Sequence, residues 1–184
     1  FWDQESSDHH KLLTEFEKRF EADNPGIDVR WLDMGSQDAL DRVRSERAKP
    51  QADIWWGAPS TMFSQAGKEG LLEAFTPSWG DKVDADARSK DKFWYGTFQT
   101  PEVIAYNSKA LKREDVPQDW DDLIDPKWRG KFVIRDPLAS GTMRAIYSAA
   151  ILRKMGPDKS PEPGYEWLRK FNTNTKEYAV NQTI

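Results

Sequence analysis

The stretch WDDLIDPKWRGKFVIRDPLASGTMRAIYSAAI, residues 120–151, passes from a helical turn through a proline stop to a strand and then a long helix. Asp121 and Asp122 suit the first turn of a helix, where carboxylates meet the positive end of the peptide dipoles. Asp125 precedes Pro126, a pairing that ends helices. The helix after the strand has an unusual start: Pro137 and small residues precede an apolar run, and its first polar groups are Ser140 and Thr142 around Gly141. Two readings stand side by side. Ser140 is a plain cap, or the turn is a seat for a negatively charged ligand. A helix N-terminus offers unpaired N–H groups and about half a positive charge, and Gly141 lets a ligand approach the backbone closely.

Upstream, the chain alternates in the same way. Ser6 and Ser7 are good caps, followed at helical spacing by Leu12, Leu13, Phe16 and Phe20, until Pro25 and Gly26 stop the helix. Ile27, Val29 and Trp31 alternate with polar residues as a half-exposed strand does. Ser36 starts a second helix that carries Leu40 and Val43 inward and closes at Pro50. ADIWWG, 52–57, reads as a short buried strand ending at Gly57, and Pro59 and Ser60 open a third helix through Met62, Phe63 and Ala66. VIAYN, 103–107, resumes a strand, and Tyr165, Trp167, Leu168 and Phe171 line a last helix. This alternation predicts an α/β layer with a mainly parallel sheet. A boundary near 98–104 divides it into a first unit, 1–100, and a second, 101–184. Such sheets bind ligands beyond the carboxyl ends of their strands. Three loops there, Asp3–Ser7, Trp55–Thr61 and Asp136–Thr142, each lead into a helix beginning with Ser or Thr.

Bulk composition narrows the function classes. The 184 residues carry a formal charge of −4, which draws the molecule as a whole neither to nucleic acid nor to acidic membranes. The balance is uneven: residues 1–100 hold 13 basic and 19 acidic side chains, residues 101–184 hold 14 and 12. The second half is the better host for an anion. With no cysteine there is no disulfide, thiolate nucleophile or cysteine-bound metal. No apolar run approaches the roughly 20 residues that span a bilayer. Nine Trp, nine Phe and five Tyr serve packing and also suit a cleft that holds a small molecule.

The candidate binding residues follow. Trp55 and Trp56 close the second strand; alternation sends one ring into the core and leaves the other toward the cleft or a neighbouring surface. Gly57 ends that strand, and Ser60 and Thr61 repeat the hydroxyl at a helix start. Gln99 sits where the chain crosses between units, with an ordinary strand edge as the alternative. Adjacent His9 and His10 point about 100° apart on a helix and cannot share a metal as an i, i+4 pair does. No phosphate loop, dinucleotide fingerprint, nucleophile elbow or zinc-protease motif is present.

ADIWWGAPSTMFSQAGKEGLLEAF, VIAYNSKAL, WDDLIDPKWRGKFVIRDPLASGT and FNTN, in this order, resemble an extracytoplasmic solute-binding protein of an ABC importer, in the branch that binds ferric ion, phosphonates or thiamine. The resemblance runs from about Leu12 to Tyr178 and is densest over 120–142. It implies the two-lobed periplasmic-binding-protein fold of type II, with mixed sheets flanked by helices, closing over a ligand between lobes. It also implies a second lobe that is incomplete here, the chain being part of a larger protein. In ferric-binding relatives the turn corresponding to Ser140–Thr142 holds the anion that accompanies the metal, and Asn174 corresponds to a nearby amide donor; a helix cap is the other reading of Asn172 and Asn174. Gln4 or Glu5 corresponds to the metal ligand of the first loop. Gly57 stands where such relatives carry an acidic ligand, and their Tyr pair would lie past Ile184.

The resemblance thus implies no resident cofactor, a transported ligand that is a small phosphonate-like or phosphate-ester anion or a ferric ion with its anion, and an ABC permease as membrane partner. It implies a monomer that is periplasmic or otherwise extracytoplasmic, either free or lipid-anchored. The rival reading is an enzyme acting on a phosphorylated or carboxylated substrate at the same cleft; it needs a general base within hydrogen-bond reach, and His9 is the sole nearby candidate.

Overall fold

A computed structural model describes residues 2–179, with side chains from residue 11 onward. Five helices form its frame: α1 (Trp2–Asp23), α2 (Ser36–Ser45), α3 (Ser60–Lys68), α4 (Gly141–Lys154) and α5 (Glu162–Asn174). Two strands, β1 (Phe132–Arg135) and β2 (Thr175–Ala179), pair in parallel. Parallel neighbours need a crossover, and here α4 and α5 together supply it.

Residues 120–179 are built around that crossover. Val133 and Ile134 face Glu177 and Tyr178 across the ladder, and Asp136 N–H extends it to the Ala179 carbonyl at 2.9 Å. Ile134 is buried beneath Leu123, Trp167 and Phe171, with Met143, Tyr147 and Ala150 of α4 packed against them. The last three recur at i, i+4 and i+7, one face of a helix. Phe171 stacks on Trp167 with centroids 5.0 Å apart and is 1% exposed. Gly164 is where α5 approaches α4: a Cβ there would lie 2.4 Å from the Ile151 Cα. The WDDLI segment is a 3-10 turn, Trp120–Ile124, capped by Asp119 and Asp122 in a capping box. Asp125 caps the next turn through Lys127 N–H. Asp121 accepts from Lys154 Nζ at 2.6 Å and from the Trp167 indole at 2.6 Å, so the basic end of α4 and the core aromatic both close on one carboxylate.

A second, smaller core consists of Leu40, Met62 and Ala66, covered by Trp55, Ala58, Leu71 and Leu72. Helices α2 and α3 are also tied by a fork: Arg44 Nε and Nη2 donate to the two oxygens of Glu69 at 2.8 and 2.7 Å. Bidentate pairing of this kind fixes orientation as well as distance.

The sheet is narrower than the sequence predicts. Segments 27–31, 52–57 and 103–107 form no ladder among the described residues. A strand exists only where a second backbone takes up its N–H and C=O groups. Here Val29 N–H is accepted instead by Glu21 Oε1 at 2.9 Å, and the Trp31 indole by Glu17 Oε2 at 2.7 Å, so this segment lies along α1. Ile54 is 84% and Val103 72% exposed. The Asp3–Ser7 segment is another correction. It lies inside α1 and is not a loop, because no Gly or Pro interrupts residues 2–23 and acidic residues favour a first turn.

Candidate functional site

Three helix starts meet at one place. Gly141 opens α4 with its Cα facing α2 and α3: a Cβ added there would meet Met62 Sδ at 2.6 Å, Ser36 Oγ at 2.9 Å and Pro59 Cδ at 3.1 Å. Gly35, the residue before α2, lies in ordinary contact with the residue before Ser140, its Cβ position being 3.7 Å from the Ala139 carbonyl oxygen. Atoms of or beside the residues that open α2, α3 and α4 are thus within contact distance.

The two readings of the Ser140 turn resolve into separate parts. Ser140 is buried, and its Oγ accepts Met143 N–H at 3.3 Å, so the hydroxyl is a cap. Gly141 N–H donates to Ser36 Oγ at 3.2 Å. Thr142 is half-buried beside them. One turn on, Arg144 Nη2 donates to Gln37 Oε1 at 2.7 Å and lies 3.8 Å from Met62 Sδ. Sequence reading missed Ser36, Gln37 and Arg144 as site residues. Ser36 carries the signal of the other two starts, a hydroxyl opening a helix, and Arg144 follows Ser140 at i+4 and so shares its face.

The local field is mixed. Arg144 adds a full positive charge to the helix ends. Asp38 brings a carboxylate into the first turn of α2, within 3.2 Å of the Gly35 Cβ position. Asp41 lies further along α2; a hydrogen bond from Gln37, with smaller contributions from Arg44 and Arg144, holds its carboxyl below the usual range.

The other sequence candidates divide. Ser60 and Thr61 are exposed on the first turn of α3, which has Pro59 as its cap residue and no side-chain cap. Gly57 turns the chain into that helix at φ +87°, a conformation favouring glycine, with open space where a Cβ would project. Trp56 is half exposed; its ring stacks 6.3 Å from Phe16 and its indole donates to Thr97 Oγ1 at 3.2 Å. Gln99 is exposed. Gln4 and Glu5 lie outside the residues whose side chains are described, as do His9 and His10.

Two candidates turn into the protein. Trp55 turns inward against Phe63, centroids 4.6 Å apart, because alternation gives the outward side to Trp56. Asn174 is 3% exposed and donates both amide hydrogens to backbone, to the Leu123 carbonyl at 2.9 Å and the Asp125 carbonyl at 2.7 Å. It latches the end of α5 to the WDDLIDP turns and has no amide donor left for a ligand. Tyr178 likewise donates to Asn172 Oδ1 at 2.6 Å. Its hydroxyl lies beside Tyr147, whose phenol is pushed up in pKa first by burial and then by Tyr178. No group of three His, Cys, Asp or Glu side chains suited to a metal is present among the described residues. None of their helices is long and apolar enough to cross a membrane.

Residues 50–184 match the family model described as bacterial extracellular solute-binding protein, and the chain belongs to that family. A probable ABC transporter periplasmic-binding protein of Sinorhizobium fredii is 30% identical over 152 residues, covering 82% of this chain and 42% of the relative. A putative 2-aminoethylphosphonate-binding periplasmic protein of Salmonella typhimurium is 30% identical, covering 81% of this chain and 41% of its own length. Among solved structures, iron-bound HitA from Pseudomonas aeruginosa superposes with a TM-score of 0.71 at 25% identity, over 88% of this chain and 50% of that one. The fold is therefore part of the two-lobed type II periplasmic-binding architecture. The chain spans about half the length of the curated relatives it matches.

Proposed function

We propose that the protein containing this chain is the solute-binding component of an ABC importer, capturing a small anion outside the cytoplasm and delivering it to a membrane permease. The observation that carries this reading is the meeting of the α2, α3 and α4 starts at Gly141, with Arg144 one turn away. Such a junction favours a phosphonate or phosphate-ester group, whose oxygens accept several charge-assisted hydrogen bonds at once. Trp56, half exposed, offers apolar cover from the first unit. The two separate cores support a division into lobes at about residue 100, with ligand held between them.

The phosphonate class ranks ahead of ferric ion with its anion. The relative named for 2-aminoethylphosphonate supports it, and Gly57 has no side chain with which to bind metal. The ferric reading draws on the likeness to iron-bound HitA. Binding and release, without turnover, is the activity proposed.

No single group suffices. A helix end contributes roughly 0.3–1 kcal/mol when exposed and about 2 when partly buried, whereas a micromolar complex needs about 8 kcal/mol net. Several starts acting together are required. Thermal-shift measurements on the full chain with 2-aminoethylphosphonate, inorganic phosphate and ferric citrate test the reading. At a hundredfold excess over Kd a true ligand stabilises by about 2.7 kcal/mol. A melting temperature that none of the three moves contradicts it, and a shift with ferric citrate alone transfers the proposal to iron.

A further inference from the structure

The carboxyl ends of β1 and β2 lie side by side at Arg135 and Ala179. Along β1 successive side chains leave from opposite faces of the sheet. Phe132 and Ile134 enter the core against Phe171, together with Met143 and Tyr147 of α4 and Trp167 of α5. Arg135 therefore leaves the strand on the other face, away from α4 and α5. It is half-buried, its Nε is shut off from solvent, and no acceptor reaches that N–H. Among the described residues no carboxylate pairs with its guanidinium. The other half-buried arginines there are all engaged: Arg44 on Glu69, Arg88 on the Gly80 carbonyl and Arg144 on Gln37.

A charge drawn out of water without a partner costs free energy, which is why proteins normally give such a group a hydrogen bond or a counter-ion. Arg135 departs from that rule at a particular place, the carboxyl end of a parallel pair, where open α/β sheets take their ligands. We infer that Arg135 is a specificity-determining residue, whose guanidinium receives an oxyanion group of the solute through two of its oxygens. This rests on the binding function proposed above and assigns the full positive charge that the solute must match to one side chain. The guanidinium fork fits two oxygens of a phosphonate or phosphate ester. An ionised oxygen placed there supplies the acceptor that the buried Nε lacks. A neutral solute leaves the charge uncompensated.

Arg135→Met tests this in the protein that contains the chain, because Met keeps the apolar stem and removes the charge. Thermal melting in buffer free of phosphate reads the missing partner. The variant is expected to melt within about 2 °C of the wild type or above it. A larger fall means that Arg135 already holds a structural partner and overturns the proposal. Titration with inorganic phosphate and with 2-aminoethylphosphonate reads the binding. Arg135→Met is expected to bind whichever probe the wild type binds about ten- to hundredfold more weakly, the span of hydrogen bonds to charged groups. Arg135→Lys, which keeps the charge and loses the fork, is expected to fall between the two. Equal binding by wild type and Arg135→Met overturns the assignment and leaves the binding function standing. A wild type that binds neither probe removes the binding function and the assignment with it, so the two failures are distinguishable.

Discussion

Asp121 shows how a carboxylate that looks chemical in sequence becomes structural in three dimensions. In WDDLIDP it is one of three acids within five residues, yet it ends between Lys154, Arg153 and the Trp167 indole. The hydrogen bond from Lys154 is the main reason its carboxyl titrates below the usual range. Trp167 is 4% exposed, so removing its acceptor leaves a buried donor unpaired. Asp121→Ala is expected to cost about 1–3 kcal/mol in denaturant unfolding; a loss near zero would mean that water replaces the carboxylate. Charge and spacing in the sequence sufficed to assign Asp121 and Asp122 to a helical first turn. They could not show that Asp121 also receives the far end of α4, because that contact crosses 33 residues. The partners of Asn174 were hidden for the same reason: its amide donates to carbonyls 49 and 51 residues away, a distance at which local pattern is silent.

Among the elements, the helices and β1 were legible and the other strands were not. Leu40, Met62 with Ala66, and Trp167 with Phe171 recur at helical spacing and are buried as that spacing requires. The apolar runs at 27–31, 52–57 and 103–107 have strand composition but no partner among the described residues, and composition does not report a partner. β2 was missed for the opposite reason: TKEYA carries Lys and Glu, poor strand formers, and is held by its ladder to β1. Between α2 and α3 the Arg44 fork holds the Glu69 carboxyl down to about 2, against an ordinary value of 4.5. A carboxylate with a depressed folded pKa stabilises fully above its unfolded value and loses that contribution as pH falls through the folded one. Melting of the wild type should therefore decline from about pH 4.5 toward pH 2 more steeply than that of Glu69→Gln. Parallel curves for the two proteins would show that the fork adds nothing to stability.

On the scale of the whole molecule, family and architecture came from the order of motifs, above all WDDLIDPKWRGKFVIRDPLASGT, whereas the junction itself needed coordinates. The helix starts were visible one by one, but only folding shows that Ser36 of α2 meets Gly141 of α4 across 105 residues. The account stands on those starts acting as one seat for negative charge. Backbone amide NMR of the full chain during titration with 2-aminoethylphosphonate tests this most directly. The account predicts that the amides of Ser36, Thr61, Gly141 and Thr142 shift together along one saturating curve. Shifts confined to other residues, or none at these four at saturation, would contradict it.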